Sequence, residues 1–355
     1  MKMMKCLYYS HTTLLIIIFG SIIGLFLIFS KQQPARKPFT TSAISCYHVQ
    51  DASLPDISNI IPAKGKSIFF HETSCRSHIN GKITISARQA CAVESAARMN
   101  PHLDVYLLFA SPGQIKNENT TSDRFLKALL TYKSIKILHL DYGLYIKNTP
   151  LEDLYESGKL ESSKYSLSHA SDVLRYLTLW KYGGIYLDLD VIVVKSLENL
   201  SENYAGSESE EHVAAGVLKF APTGNGHHFA ELCVEDLKYH FSGSKWGYNG
   251  PGVITRLLKK ICNANTAKEM LNQSCSGFTV YPPKFFYPVP WRQWKTYFDS
   301  KMNNKIMNII KDSYVVHVWN RFSEQQKISL NYDVPYTILA KRYCPKVIAE
   351  CEYFF

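Results

Sequence analysis

Residues 171–190, SDVLRYLTLWKYGGIYLDLD, place a helical pattern directly before a strand pattern. In the first half, Val173, Leu177 and Trp180 recur at the spacing of one helix face, which predicts a helix packed against a core. Gly183 follows this pattern, and glycine is the usual residue just past the end of a helix. The second half is an apolar run that ends in two aspartates. We therefore expect a helix that leads into a buried strand with two carboxylates at its end.

The two aspartates, Asp188 and Asp190, stand one residue apart. Residues i and i+2 of a strand point to the same face, so both carboxylates can converge on one ligand. A nucleotide-sugar transferase uses this pattern to hold Mn²⁺ or Mg²⁺ against a diphosphate, because both ions prefer oxygen ligands. A phosphatase of the haloacid dehalogenase type also has an apolar strand followed by Asp-x-Asp-x-Val. A bare Asp-x-Asp is equally compatible with a polar strand end facing solvent.

The helix before the strand carries a second charged pair, Asp172 and Arg175. Residues three apart on a helix share a face, and a pair of this kind is usually a surface ion pair. Ligands of open α/β sheets bind at the carboxyl ends of strands, so both side chains can instead reach the cleft beside the two aspartates. Ser168 or Ser171 is expected to cap the start of this helix.

Strand and helix patterns alternate along the preceding part of the chain. They are, in order, the strand KSIFFHET, the helix SARQACAVESAARMNP, the strand DVYLLFA, the helix DRFLKALLTYK and the strand IKILHLD. Strands that alternate with helices predict an α/β fold with a mostly parallel sheet flanked by helices on both faces.

The position of the Asp-x-Asp motif argues against the phosphatase. That chemistry needs the motif after the first strand, with a later lysine and a further acidic pair on a strand end. Here the motif is in the middle of the chain, and the acidic pair Glu235-Asp236 lies in the helical segment FAELCVEDLKYHF. The transferase interpretation is therefore favoured.

Composition limits the partners. The 355 residues are enough for one large domain or two modest ones. The net charge of +10 is compatible with nucleic acid, acidic membranes or anionic small molecules. The sequence has no zinc-finger spacing and no dense Lys/Arg block, so we expect no nucleic-acid partner. The 23 tyrosines suit a protein that stacks on sugar rings, although many of them will lie in the core.

The N-terminal region predicts a membrane protein. Residues 12–30, TTLLIIIFGSIIGLFLIFS, are uncharged and about long enough to span a bilayer as a helix. No small-x-small cleavage site precedes the charged residues that follow, which favours an uncleaved signal anchor. Residues 1–11 are then a cytoplasmic tail, and residues 31–65, rich in Pro, Ser, Thr and Lys, are a stem. Residues 66–355 are predicted to be the lumenal catalytic domain.

Cysteines and glycosylation sequons favour a lumenal location for the C-terminal part. Of the nine cysteines, eight follow the predicted anchor, an even number that suits an oxidising compartment. Three Asn-x-Ser/Thr sequons, at Asn119, Asn199 and Asn272, also follow it. The short polar segment between Cys262 and Cys275 predicts a disulfide between these two residues.

Six motifs occur in an order that resembles a known family. They are VESAARMNP, SDVLRYLTLWKYGGIYLDLD, WGYNGPGVITR, FYPVPWRQWKTYF, YVVHVWN and RYCP. The sequence resembles the DXD-containing α1,4-glycosyltransferases of family 32, which comprise lactosylceramide 4-alpha-galactosyltransferases and alpha-1,4-N-acetylglucosaminyltransferases. The resemblance runs from about Ile68 to Pro345. Leu189 departs from the galactosyltransferase pattern, which has threonine there, but this side chain should point away from the metal.

The resemblance implies a type II Golgi membrane enzyme with a GT-A-like fold. Such an enzyme transfers galactose or an N-acetylhexosamine from a UDP-sugar to a galactose-type acceptor on a glycolipid or glycan, such as lactosylceramide, with retention of configuration. The implied cofactor is Mn²⁺, with Mg²⁺ as the second choice. The Golgi membrane is an implied partner, and an oligomer with itself or with other glycosyltransferases stays open. A catalytically inactive Golgi glycan-binding or chaperone-like protein is the alternative.

The resemblance also implies roles for individual residues. Asp188 and Asp190 would bind the metal and the diphosphate, and Asp172 and Arg175 would hold the donor sugar and phosphate. Tyr186 either lines the nucleotide pocket or packs in the core. The implied substrate-binding residues farther along the chain, each with ordinary packing or turn formation as the other interpretation, are Trp246, Asn249, Gly250, Pro251, Trp291, Trp294 and Trp319.

His317, in the motif YVVHVWN, is a candidate third metal ligand. A lone histidine in a short buried strand is usually a satisfied core residue. A metal held by two carboxylates and a diphosphate has room for another ligand, however, and neutral imidazole suits Mn²⁺. Several GT-A transferases take a histidine from a late strand for this purpose, so we expect His317 to bind the metal or the diphosphate.

Overall fold

A computed structural model of the protein describes residues 44–271, 273 and 275–355. The predicted cytoplasmic tail and signal anchor, the first part of the predicted stem, and the sequon at Asn272 lie outside these residues. Within the described part of the chain, no helix is long and apolar enough to cross a bilayer.

Eleven strands are present in the described residues. They are β1 (Ser67–Glu72), β2 (His78–Ile79), β3 (Lys82–Ile83), β4 (Asp104–Phe109), β5 (Ile135–His139), β6 (Gly184–Leu187), β7 (Val191–Val193), β8 (Tyr204–Ser207), β9 (Val213–Phe220), β10 (Thr279–Tyr281) and β11 (Val315–His317). Seven of them form the central sheet, in the order β10-β8-β9-β6-β1-β4-β5. The strands β7 and β11 pair separately, as do β2 and β3.

The central sheet is mostly parallel, as the sequence predicts. Four of its six strand pairs are parallel, and the two antiparallel pairs both involve β9, which lies between β6 and β8. The sheet is therefore mixed. Because β9 runs opposite to both neighbours, β6 and β8 run in the same direction and their carboxyl ends lie at the same edge.

The α-helices of the described residues cover the sheet. They are α1 (Ala87–Met99), α2 (Thr121–Leu130), α3 (Tyr142–Ile146), α4 (Glu152–Glu156), α5 (Ser166–Tyr182), α6 (Gly224–His240), α7 (Pro251–Ile261), α8 (Ala267–Met270), α9 (Pro283–Phe286), α10 (Asn303–Ile309), α11 (Asn320–Ser323), α12 (Pro335–Tyr343) and α13 (Pro345–Ala349). Short 3-10 helices are found at Ser45–His48, Ile57–Asn59, Cys75–Ser77, Trp291–Phe298, Ser300–Met302 and Ile310–Asp312.

Both faces of the sheet are packed against apolar layers, which explains why its strands are apolar at consecutive positions. Along β1, Ile68 and Phe70 belong to one buried cluster and Phe69 to the other, since alternate side chains of a strand point to opposite faces. Helix α1 packs on the first face and α5 on the second. Each buried phenylalanine contributes about 1.5–3 kcal/mol to stability.

Helix α5 ends where the sequence predicts but begins earlier. Gly183 follows its last residue with a φ of +62°, a conformation that glycine adopts without a Cβ penalty. The helix begins at Ser166, so the prediction that Ser168 or Ser171 caps it was wrong. The hydroxyl of Ser163 accepts a hydrogen bond from the N–H of Tyr165, and this contact fixes the chain directly before the helix.

Three disulfides join distant parts of the described chain. The predicted Cys262–Cys275 bond is confirmed, and the other two are Cys46–Cys75 and Cys91–Cys344. Cys233 and Cys351 carry free thiols. The Cys46–Cys75 bond and the burial of Ile44 and Ile57 show that the described part of the predicted stem packs on the sheet domain.

Candidate active site

The Asp-x-Asp motif lies in the turn that joins β6 to β7. Asp188 directly follows β6, and its N–H donates to the carbonyl of Gly216 on β9 at 2.9 Å. Asp190 directly precedes β7, which pairs with β11 so that Val191 lies opposite His317. The two aspartates are therefore held by two different sheets, and β11 brings the predicted histidine beside them.

Asp188, Asp190 and His317 form a compact cluster of possible metal ligands. One ligand atom from each residue lies within 4.8 Å of the other two. The Nε2 atom of His317 is 3.1 Å from Asp190 Oδ1 and 3.7 Å from Asp188 Oδ2. The structure thus brings these three side chains together.

The charged side chains of the cluster shift one another's pKa values. Burial alone would lower the pKa of His317, but the carboxylates of Asp190 and Asp188 outweigh it and raise this pKa to about 10. Burial would raise the pKa of Asp188, but the Arg175 guanidinium and His317 lower it to about 2. His317 and Arg175 thus place two positive charges beside the two carboxylates. A divalent cation can also balance these carboxylates.

Arg175 contacts both Asp172, on its own helix, and Asp188 of the Asp-x-Asp motif. Its Nη2 atom lies 3.3 Å from Asp188 Oδ1, and its Nη1 atom lies 3.4 Å from Asp172 Oδ1. Nη1 also donates to the carbonyl of Ala215 at 3.2 Å. Burial raises the pKa of Asp172 to about 6, and the opposing effect of Arg175 is too small to restore the ordinary value. Helix α5 therefore delivers both side chains to the cleft.

Tyr186 contacts the site from within the core. It is 1% exposed, and its hydroxyl donates to Asp188 Oδ1 at 2.7 Å. The Arg175 guanidinium carbon lies 4.9 Å from the centre of its ring, a cation–π distance. One oxygen of Asp188 is thus held by two neighbours, which leaves Oδ2 directed toward His317.

The predicted turn at Trp246–Pro251 touches the site through Gly250. A Cβ atom on Gly250 would lie 2.3 Å from Asp172 Oδ1, so only glycine allows this approach. The hydroxyl of Tyr176 donates to the Gly250 carbonyl at 2.6 Å and holds the turn in place. The Asn249 amide bonds to the backbone of Ser242 through both its oxygen and its nitrogen. Pro251 occupies the first turn of α7.

The candidate tryptophans fall into two groups. Trp246 and Trp291 are 50% and 40% exposed. Trp246 lies 4.1 Å from the Arg321 guanidinium, and Trp291 stacks on Phe322 with ring centres 5.3 Å apart.

The other two tryptophans are packed more deeply. Trp294 contacts Phe298 and the core cluster. Trp319 is 9% exposed and donates its indole N–H to the carbonyl of Val289. Its φ of +58° is unusual for a large residue and turns the chain sharply between β11 and α11.

Sequence reasoning missed three contributors to the site. The backbone N–H of Asn320 donates to Asp190 Oδ2 at 2.8 Å. Gly216 lies against Asp188, and Tyr287 packs on the ring of His317 with ring centres 5.4 Å apart. Asn320 ends the motif YVVHVWN, and Tyr287 lies in the motif FYPVPWRQWKTYF, so the sequence offered a signal for these two residues but none for Gly216.

The donor set fits a divalent metal. Two carboxylates and one imidazole converge, and this combination suits Mn²⁺ and, less well, Mg²⁺, which prefers oxygen alone. Two polar atoms beside the cluster, Arg175 Nε and Asn320 Oδ1, are buried and have no hydrogen-bond partner among the described residues. Buried polar groups are normally paired, so these atoms indicate a surface built for a polar ligand.

Comparison with known proteins identifies the family. Residues 222–351 match the alpha 1,4-glycosyltransferase conserved region, and residues 86–207 match the glycosyltransferase sugar-binding region containing a DXD motif. The lactosylceramide 4-alpha-galactosyltransferase of Gorilla gorilla gorilla is 35% identical over 285 residues, which cover 80% of this chain and 83% of that protein. The chain belongs to the α1,4-glycosyltransferase family. Members of this family use a UDP-sugar donor and a divalent metal.

Two further similarities accompany this assignment. The human alpha-1,4-N-acetylglucosaminyltransferase is 27% identical over 266 residues, covering 74% of this chain and 75% of that protein. Among solved structures, the galactosyltransferase LgtC in complex with donor and acceptor sugar analogues is 13% identical, with a TM-score of 0.42 and coverage of 80% of this chain and 95% of that chain. The described residues form a mixed sheet flanked by helices, with the DXD motif at the end of a strand, which is the arrangement that the family resemblance implies.

Proposed function

We propose that this enzyme transfers galactose, or an N-acetylhexosamine, from a UDP-sugar in α1,4 linkage to a galactose-type acceptor on a glycosphingolipid such as lactosylceramide. The observation that carries the proposal is the cluster of Asp188, Asp190 and His317 beside the Arg175 guanidinium. The relatives named lactosylceramide 4-alpha-galactosyltransferase point to a galactosyl donor and this glycolipid acceptor. Retention follows from an α-linked donor giving an α-linked product.

Asp188, Asp190 and His317 would hold Mn²⁺, or Mg²⁺ as the second choice. A divalent metal at this position supplies Lewis-acid stabilisation of the charge that develops on departing UDP. The fixed partners of the carboxylates keep their oxygens in position before substrate arrives: Tyr186 and Arg175 hold Asp188, and the Asn320 N–H holds Asp190. Because the carboxylates are already held in position, they need not move when the reaction takes place.

Arg175 and Asp172 are the proposed contacts to the donor sugar and phosphate. The guanidinium can donate to a phosphate oxygen, because its Nε atom is buried without a partner among the described residues. Asp172 can accept from a sugar hydroxyl. Gly250 approaches Asp172 so closely that any side chain there would collide with the carboxylate. The transition state is expected to resemble an oxocarbenium ion, as in glycoside hydrolysis.

The acceptor is proposed to bind at the exposed rings beside α11. Asn320, which contacts Asp190, is followed directly by Arg321 and Phe322, and these two residues contact Trp246 and Trp291. Half-exposed aromatic rings offer apolar faces for sugar C–H groups, and Arg321 offers donors for hydroxyls. Arg321 and Phe322 therefore directly follow, in sequence, the residue that contacts Asp190.

We also propose that the enzyme is a type II protein of the Golgi membrane, anchored by residues 12–30, with the catalytic domain in the lumen. Three disulfides support an oxidising compartment. The sequon residues Asn119 and Asn199 are both exposed and therefore accessible to glycosylation.

Transfer assays test the function. The purified full-length chain is incubated with Mn²⁺ and UDP-galactose, UDP-N-acetylgalactosamine or UDP-N-acetylglucosamine, with and without lactosylceramide, and both UDP release and product linkage are measured. We expect acceptor-dependent UDP release with one preferred donor and an α1,4-linked product. Binding of glycan without any sugar transfer would instead support the catalytically inactive alternative.

A further inference from the structure

Tyr287 carries a buried hydroxyl that the functions assigned above do not explain. The residue follows α9 and is 1% exposed, and its backbone N–H donates to the carbonyl of Pro283 at 2.7 Å. Its hydroxyl has no hydrogen-bond partner among the described residues. A buried hydroxyl without a partner is destabilising, and phenylalanine would fill the same space without that cost.

The hydroxyl lies at the metal-ligand cluster. A Cβ atom built on Gly216 would be 2.7 Å from Asp188 Oδ2 and 3.3 Å from the Tyr287 hydroxyl, so both oxygens face the space above this glycine. The ring of Tyr287 packs on His317 and Trp319, with ring centres 5.4 Å and 5.8 Å away. These contacts fix the direction of the hydroxyl toward the cluster.

The Tyr287 hydroxyl faces the Oδ2 side of Asp188. Asp188 Oδ1 already accepts from Tyr186 and Arg175, whereas Oδ2 is turned toward His317 and Gly216. A ligand that reaches Oδ2 through a bound metal therefore passes beside the Tyr287 hydroxyl. The hydroxyl is a neutral donor, so it can approach an anionic oxygen without adding charge to a site that already contains Arg175 and His317.

Tyr287 and Tyr204 both carry a buried hydroxyl without a partner among the described residues, but they differ in position. Tyr204 is also fully buried, and its hydroxyl also has no hydrogen-bond partner among the described residues. Its ring packs on Tyr281 and Phe286, within the sheet and away from the aspartates. Tyr204 thus provides a matched control, because the same substitution removes an equally buried hydroxyl that does not face the cluster.

We propose that the Tyr287 hydroxyl donates a hydrogen bond to an oxygen of the diphosphate of the bound sugar nucleotide. This inference rests on the proposed function, since it assumes a UDP-linked donor at the metal cluster. A hydrogen bond from a hydroxyl to a charged oxygen is short and about twice as strong as a neutral one. Gly216 keeps the space between Asp188 and the hydroxyl open to that oxygen.

Calorimetric titration tests this assignment. UDP is titrated into wild-type protein, Tyr287→Phe and Tyr204→Phe at saturating Mn²⁺, and Mn²⁺ is titrated into each protein without UDP. We expect Tyr287→Phe to weaken UDP binding roughly 10- to 100-fold, as for loss of a hydrogen bond to a charged group. Its Mn²⁺ affinity without UDP and its melting temperature should stay close to those of the wild type. Tyr204→Phe should bind UDP as the wild type does.

Three results would overturn the inference alone. The first is wild-type UDP affinity in Tyr287→Phe, and the second is an equal loss of UDP affinity in Tyr204→Phe. The third is a loss of Mn²⁺ affinity in Tyr287→Phe without UDP, because the hydroxyl would then act on the metal ligands. Failure of the wild-type protein to bind UDP at all would refute the proposed function together with the inference.

Discussion

The two sides of the catalytic cleft are built differently. On the metal side, Asp188 and Asp190 are held by hydrogen bonds and ion pairs from Tyr186, Arg175 and His317. On the proposed acceptor side, the exposed ring of Trp246 contacts Arg321, and that of Trp291 stacks on Phe322. In the proposed function, the chemistry therefore rests on fixed charges, whereas acceptor recognition rests on partly exposed aromatic surface.

This difference predicts different responses to substitution. Removing a charge on the metal side leaves its buried partners unbalanced and takes away transition-state stabilisation. Removing a ring on the acceptor side loses contact area but leaves the reacting groups in place. We expect the first kind of change to abolish turnover and the second to alter the acceptor concentration that is needed.

The largest effect is expected for Asp190→Asn. Asparagine keeps an oxygen that can accept from the N–H of Asn320, so the fold should persist, but the negative charge needed for the metal is lost. We expect transfer activity to fall roughly 100- to 1000-fold, the usual consequence of removing a group that stabilises transition-state charge. Activity is measured by UDP release and folding by circular dichroism. Activity within a few-fold of the parent would contradict the metal assignment.

His317→Ala should affect metal dependence next most strongly. Loss of the imidazole is expected to raise the Mn²⁺ concentration for half-maximal activity about 10- to 100-fold. It also removes the positive charge beside Asp190 and leaves Arg175 as the cation beside Asp188, so the variant should melt at a lower temperature without Mn²⁺ and recover in its presence. Unchanged metal dependence would assign His317 to the core. A stability loss that Mn²⁺ does not reverse would lead to the same conclusion.

Trp246→Ala and Trp294→Ala should separate recognition from packing. Trp246 is half exposed, so its loss should raise the KM for lactosylceramide about two- to ten-fold with little change in kcat or melting temperature. Trp294 packs on the core, so its loss should lower stability by about 2–4 kcal/mol. Steady-state kinetics and thermal melts distinguish the two. If both variants changed the KM and the melting temperature to the same extent, the assignment of Trp246 to recognition and Trp294 to packing would be wrong.

Asp172→Asn should give the smallest change in stability, a gain that depends on pH. The pKa of Asp172 is about 6 when folded and 3.8 ordinarily, so the folded state binds this proton more tightly. The stability from this group is present below the ordinary pKa and is lost as pH rises through 6. The variant, which cannot ionise there, should be more stable than the wild type by about 1–3 kcal/mol at about pH 8. The difference in stability between the variant and the wild type should become smaller as the pH falls toward about 4.

Denaturant unfolding at both pH values measures this difference. The same variant should lose activity, because the carboxylate acceptor for the donor sugar is gone. A constant difference in stability across the pH range would show that Asp172 is not the titrating group.

Local spacing allowed much of the fold and of the metal side to be predicted. Gly183 marked the end of a helix, and the positions of Asp172, Arg175, Asp188 and Asp190 placed four charges around one helix–strand junction. The reversed direction of β9 could not be predicted, because an apolar run does not reveal which way a buried strand runs.

The acceptor side was less predictable for a physical reason. Trp291 and Trp294 stand three residues apart in one aromatic stretch, and only the tertiary fold decides that the first is exposed and the second packs on the core. Tyr287 lies in the same stretch and turns inward to His317. The Asn249 amide, predicted to contact sugar, is engaged by the backbone of Ser242. The residues next to these side chains in the sequence are not enough to predict where each side chain points.

The most direct test of the central claim is a Mn²⁺ titration followed by electron paramagnetic resonance, in which bound Mn²⁺ loses the signal of the free ion. The full-length wild-type protein, Asp190→Asn and His317→Ala are compared with and without UDP. The arrangement of Asp188, Asp190 and His317 predicts saturable Mn²⁺ binding by the wild type that tightens with UDP. Binding should be lost in Asp190→Asn and weakened in His317→Ala. Mn²⁺ binding of unchanged strength in both variants would contradict the assignment of this cluster as the metal site of the transferase.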